Sequence, residues 1–200
     1  MHSKNLKKLL LKYKFSKIVP ANCQDCRLGK TRTKIVPHGG NPLAKLILLG
    51  EGPGSEEDLS GKPFVGRSGK KLFKTINALG FEREDFLILN LIKCRPPNNR
   101  NPGYDEIKEC RKYLYQQFEL SQAKVILVLG KVAWKAMTGV YLPVTIYRGT
   151  TQEWTRLSKE FKIVYTYHPS YVLRNNTIET NKDFLSDIKS ALDLAGYFRR

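Results

Sequence analysis

The stretch from Gly50 to Gly66, GEGPGSEEDLSGKPFVG, gathers residue types that could do chemistry. It carries the carboxylates Glu51, Glu56, Glu57 and Asp58 and one isolated aromatic, Phe64, directly after the apolar run Leu46-Ile47-Leu48-Leu49. An apolar run of that length reads as a buried parallel strand, and the glycines behind it mark a tight turn. In an open α/β sheet, ligands bind beyond the carboxyl ends of the strands. A polar loop with one aromatic at such a place is a site for something flat and polar. Gly61 to Ser68 also reads G-x-x-x-x-G-R-S, close to a phosphate-binding loop. Arg67 stands where a lysine is needed, however, and the segment does not directly follow a strand. The acids just upstream would repel phosphate, so nucleotide hydrolysis is set aside.

A second set of chemical residues is Cys23, Cys26, Cys94 and Cys110, a Cys-x-x-Cys pair followed by two cysteines with fifteen residues between them. Disulfides are not expected in a chain without an export signal. A redox pair would sit at a strand-to-helix turn, whereas this one precedes the first clear strand. Zinc held by four thiolates usually takes two closely spaced knuckles, and Cys94 and Cys110 do not make one. An iron–sulfur cluster also takes four thiolates and tolerates more varied spacing. Cys110 shares a helical face with Ile107, Leu114 and Phe118, so a plain core cysteine is its alternative. All four nevertheless flank loops or element ends, which favours one shared metal site; zinc and iron–sulfur both remain open on the residues alone.

The elements that must position these residues follow from periodicity. Lys45–Leu49, Phe86–Ile92, Val125–Leu129 and Ile163–Tyr167 are apolar runs suited to strands buried on both faces. Helical stripes separate them: Leu72, Phe73, Ile76 and Leu79 before a stop at Gly80; 105 to 120; Val132 to Met137 after Gly130; and Phe184 to Leu192. Alternating strands and helices predict a four-stranded parallel sheet covered on both faces. The loop after Gly50, the segment Asn90 to Pro97 and the loop His168 to Arg174 should then line one crevice. Residues 1–40 read as a helix plus an irregular cap, and the whole chain, 1–200, as a single domain.

Two hundred residues suffice for a real core, and 41% hydrophobic residues is ordinary. No apolar run approaches the roughly 20 residues of a membrane helix, and the N-terminus is too interrupted for a signal peptide. A cytoplasmic protein without a membrane partner is expected. The net charge of +17, from 35 basic against 18 acidic side chains, favours a polyanionic partner. Nucleic acid leads, because backbone contacts by Lys and Arg release counterions.

Three motifs, GEGPGSEEDLSGKPFVGRSG, NLIKCRPPNNRNP and HPSYVLR, together with the cysteine arrangement, resemble the iron–sulfur (family four) uracil-DNA glycosylases. The resemblance runs from about Cys23 to the C-terminus. It implies a three-layer α/β/α sandwich, a [4Fe–4S] cluster on Cys23, Cys26, Cys94 and Cys110, and a monomer that removes uracil from DNA and leaves an abasic site. The alternatives are a glycosylase with a shifted deaminated-base preference and a catalytically silent iron–sulfur DNA-binding module.

The chemistry can be rebuilt on these residues. A base inside a duplex must be flipped out to be read. The amide of Asn90 offers an acceptor and a donor, which match N3–H and O4 of uracil and mismatch cytosine. Phe64 would stack on the flipped ring, worth about 1–3 kcal/mol for a base on an aromatic. His168 would donate to O2, where charge develops as the base leaves, helped by backbone N–H groups near Glu51 and Gly52. The related glycosylases without a cluster have an aspartate where this chain has Gly52. Another carboxylate must then position the water: Glu57 first, Glu51 second, Asp58 third. Arg95, Arg100, Arg174 and Lys93 are placed to meet phosphates, and Leu173 to fill the gap in the base stack. A covalently trapping subgroup carries an inserted Arg-Arg-Ile-His loop, absent here, so turnover is expected.

Overall fold

The computed structural model describes residues 2–156 and 158–198; Met1, Leu157, Arg199 and Arg200, part of the expected single unit, lie outside the described residues. In chain order the elements are α1 (His2–Ser16), β1 (Gly39–Gly40), β2 (Leu46–Gly50), α2 (Ser55–Ser60), α3 (Arg67–Asn77), β3 (Leu87–Asn90), α4 (Tyr104–Leu120), β4 (Val125–Leu129), α5 (Lys131–Thr138), α6 (Val144–Tyr147), β5 (Thr151–Arg156), β6 (Lys159–Thr166), α7 (Pro169–Arg174) and α8 (Ile178–Leu194). Short 3₁₀ turns at Arg27–Lys30, Arg83–Asp85 and Pro97–Asn99 join them.

The sheet runs β1-β3-β2-β4-β6-β5. Its centre, β3-β2-β4-β6, is parallel, as the four apolar runs predict. Two edge strands correct the expected count of four. β1 pairs antiparallel with β3, and β5 pairs antiparallel with β6. Neither carries an apolar run: β1 is two glycines, and β5, TQEWTR, is exposed except for a half-buried Trp154. Hydrogen bonding to β5 also starts β6 at Lys159, before its buried half begins.

Side chains alternate across the central strands with period two. Ile47, Leu49, Leu87, Leu89, Ile126, Val128, Ile163 and Tyr165 face a layer made with Phe15 of α1, Leu114 and Phe118 of α4, and Trp134 of α5. Leu46, Leu48, Ile88, Val125, Leu127 and Val164 face the opposite layer, where Leu72, Phe73 and Ile76 of α3 meet Val172 of α7 and Phe184, Ile188 and Leu192 of α8. The result is an α/β/α sandwich with two cores. Among the described residues no helix is long and apolar enough to cross a membrane.

For the site, register matters most. β2 and β3 end level, with Gly50 opposite Asn90. β4 ends at Leu129, and Gly130 directly after it, with φ of +89°, turns the chain in a conformation that favours glycine. A Cβ there would stand 2.7 Å from Cβ of His168, so Gly130 also leaves room for the loop after β6. Three strand ends thus open onto one edge of the sheet.

Candidate active site

Gly50, Asn90 and Phe64 converge. A Cβ on Gly50 would lie 2.5 Å from Oδ1 of Asn90 and 2.5 Å from Cζ of Phe64, so only glycine leaves this gap between amide and ring. Asn90 is 3% exposed and its Oδ1 has no hydrogen-bond partner. A buried, unpartnered amide oxygen is rare and costs about 1–3 kcal/mol; it is what a site awaiting a donor looks like. Phe64 sits 7% exposed in the left-handed region at φ +52°, an uncommon conformation for a bulky residue.

The acidic run opens α2, as the helix-terminus alternative for such a run would have it. Glu56 is exposed, but the carboxylates of Glu57 and Asp58 are buried and taken up by backbone N–H groups. Oε2 of Glu57 accepts from the N–H of Gly54 at 3.0 Å, while Oε1 accepts from Val65 at 2.9 Å and Gly66 at 2.8 Å. Glu57 thereby ties the start of α2 to the two backbone amides that follow Phe64. Asp58 accepts from the N–H groups of Thr33 and Lys34 and ties the N-terminal cap to this loop. Glu51 differs: no described residue hydrogen-bonds its carboxylate, and burial raises its pKa to about 7, against a lowering pull from Lys131. Of the three acids ranked to position a water, Glu51 alone keeps a carboxylate without a hydrogen-bond partner among the described residues. At Gly52 a Cβ would stand 2.8 Å from Cγ1 of Ile92, so buried Ile92 fills the place an aspartate side chain would need.

His168 caps α7 and follows β6 by two residues. Its Nδ1 accepts from the N–H of Ser170 at 3.2 Å and lies 2.8 Å from Oγ of the same residue. Burial, with Arg174 adding to it, lowers the ring's pKa to about 4. A neutral ring whose Nδ1 accepts from a backbone N–H must carry its proton on Nε2.

The four cysteines are unpaired thiols that line one recess together with Arg32, Lys93 and Tyr113. Among the described residues no three His, Cys, Asp or Glu side chains converge on a point that a single ion could occupy. Burial pushes the thiols of Cys26 and Cys110 up and that of Cys94 to about 12. Nη1 of Arg32 lies 3.8 Å from Sγ of Cys94. Lys93, read from sequence as a phosphate ligand, is 1% exposed and instead donates from Nζ to the carbonyl of Asn90 at 2.8 Å. A lone lysine inside the motif NLIKCRPPNNRNP gave no sequence signal for this inward turn.

Of the residues expected on DNA, Leu173 and Arg174 are exposed at the end of α7. Arg95 is half-buried and donates from Nε to Oδ1 of Asn99 at 2.8 Å. Arg100 is committed elsewhere. Its two Nη atoms donate to the fully buried Glu106 at 2.8 and 2.6 Å, and Arg27 adds a third contact at 2.7 Å. Glu106 thus ties Arg100 of the loop 96–103 and Arg27 of the cap to α4.

Comparison with known proteins adds a separate line of observation. The model of the uracil DNA glycosylase superfamily matches residues 37–192. The chain is 37% identical to a type-4 uracil-DNA glycosylase of Archaeoglobus fulgidus, over 88% of this chain and 89% of that protein. It is 40% identical to one of Thermotoga maritima, over 84% and 87% of the two chains. It is 41% identical to one of Saccharolobus solfataricus, over 85% and 82%.

Proposed function

The chain belongs to the uracil DNA glycosylase superfamily and, within it, to the type-4 uracil-DNA glycosylases, and from that premise we propose that it is a monofunctional hydrolase that flips uracil out of DNA and leaves an abasic site. One observation carries the pocket assignment: the unpartnered Oδ1 of buried Asn90 and the ring of Phe64 meet at the gap left by Gly50. The amide of Asn90 reads N3–H and O4 of uracil, and Phe64 stacks on the ring.

Breaking the bond between N1 and C1′ sends its electron pair into the uracil ring, much of it to O2. His168, neutral and protonated on Nε2, donates to that oxygen. The backbone N–H groups around Gly52 add to the same stabilisation. A water held by ionised Glu51 adds its oxygen to C1′ and gives up a proton to that carboxylate. Glu57 acts through the amides it holds rather than on the water. Arg95 and Arg174 meet phosphates, and exposed Leu173 fills the vacated stack.

Cys23, Cys26, Cys94 and Cys110 would hold a [4Fe–4S] cluster. Support comes from four thiols lining one recess, with two cations, Arg32 and Lys93, at its wall. When bound, such a cluster supplies a structural clamp and offsets the burial that disfavours the thiolates. Residues 1–40 form the helix and cluster-binding cap of one glycosylase domain spanning 1–200, acting as a cytoplasmic monomer on uracil-containing DNA. The test is incubation with a labelled oligonucleotide carrying one uracil, followed by hot alkali. Strand cleavage at uracil and none at a thymine control is expected; no cleavage by protein carrying its iron would overturn the reading.

A further inference from the structure

Phe64 holds a backbone conformation that a phenylalanine rarely adopts, and something must impose it. Glu57 fixes the two amides that follow it. Gly69, in the first turn of α3, lets the Phe64 peptide lie directly on the helix: a Cβ there would come 2.0 Å from the Phe64 carbonyl oxygen. The carbonyl side is held by Arg83. Its Nη1 donates to O of Phe64 at 3.0 Å and its Nη2 to O of Pro63 at 2.7 Å. The guanidinium lies 4.3 Å over the ring of Phe73 and forms no salt bridge with any described carboxylate. A half-buried arginine that spends its fork on two successive carbonyls, instead of an acid, is holding a backbone in one shape.

We infer that Arg83 is a positioning residue for uracil recognition, acting on the base only through the ring of Phe64, which it locks in the left-handed conformation facing Asn90. Arg83 lies in the 3₁₀ turn Arg83–Asp85, and Asn90 closes β3 directly after it. One segment of eight residues, 83 to 90, therefore delivers both the reader of the base edge and the clamp on the stacking ring. This rests on the glycosylase reading above and adds a residue to it.

The test is a double-mutant cycle on single-turnover uracil excision with Arg83→Met, Phe64→Ala and the double variant. Arg83→Met should lower kcat/KM by about 5- to 150-fold, the rate equivalent of losing about 1–3 kcal/mol of base–aromatic stacking. In the Phe64→Ala background the same change should cost less than about threefold, since the ring it acts through is gone. Arg83→Lys, which keeps the charge but only one donor direction, should fall between, and guanidinium ion added to Arg83→Ala should restore part of the rate. Equal losses in both backgrounds, or a loss that follows the melting temperature across Arg83→Met and Arg83→Lys, would make Arg83 a merely structural residue and overturn the inference. An active wild type with an unaffected Arg83→Met would overturn it while leaving the glycosylase reading intact; an inactive wild type would fell that reading instead.

Discussion

Replacing Gly50 by alanine adds a single carbon at the centre of the proposed pocket. Gly50 is not in the left-handed region, so its backbone accepts alanine without strain and the effect is steric. The new carbon would lie 2.5 Å from both Oδ1 of Asn90 and Cζ of Phe64. Non-bonded contacts settle near about 3.5 Å, so each neighbour must retreat by about 1 Å or rotate away. Neither is free to do so cheaply. Asn90 and Phe64 are almost fully buried, and the Phe64 backbone is held by Arg83 and Glu57. Losing the stack costs about 1–3 kcal/mol, and leaving an amide or base edge unmatched about 1–3 more. Together these predict a fall in kcat/KM on the order of 30- to 2 × 10⁴-fold. Overpacking costs roughly 1–3 kcal/mol of stability, so the protein should stay folded with a melting point a few degrees lower. Single-turnover excision from a uracil oligonucleotide, read beside thermal melting, measures both. Activity within about threefold of wild type would refute the idea that this gap is where the base is read.

Other perturbations separate the remaining roles. Asn90→Asp replaces the amide donor with an acceptor and should abolish uracil selectivity or activity; near-normal kinetics on uracil DNA would remove Asn90 as the reader. Cys110→Ala should strip iron and acid-labile sulfide from the purified protein and lower its melting temperature, and unchanged iron content would exclude Cys110 as a ligand. Glu51 has its pKa raised to about 7 by burial, so its carboxylate forms only as pH rises through that value. The single-turnover rate should therefore climb with pH through about 7, while His168, at about 4, stays neutral across the window. Glu51→Gln should be slow and flatten that limb; an unchanged profile would assign the water to another group.

The parallel centre of the fold was legible because strands buried on both faces must be written as unbroken apolar runs, and Leu46–Gly50 and Val125–Leu129 are just that. The edge strands were not, since backbone pairing with a neighbour places no demand on side chains as polar as those of β5 or as small as those of β1. Among the site residues, type was readable but direction was not. Glu57 and Lys93 were visible as charges near the right loops, yet their inward turn depends on backbone amides and carbonyls that no spacing records. The pairing of Arg100 was hidden for a similar reason: its partner, Glu106, is a helix residue six positions on, buried by packing. Arg83, three residues ahead of an apolar strand, carries no pattern at all.

The two outer strands have a consequence for how the protein behaves in bulk. An open sheet with long apolar borders invites strand-by-strand addition of other chains. Here one border is only two residues long, Gly39–Gly40, and the other presents exposed Gln152, Glu153, Thr155 and Arg156 to water. A sheet bordered in this way gives incoming strands little to template on. The apolar interior of the four parallel strands is thereby kept away from both borders at which another chain could add.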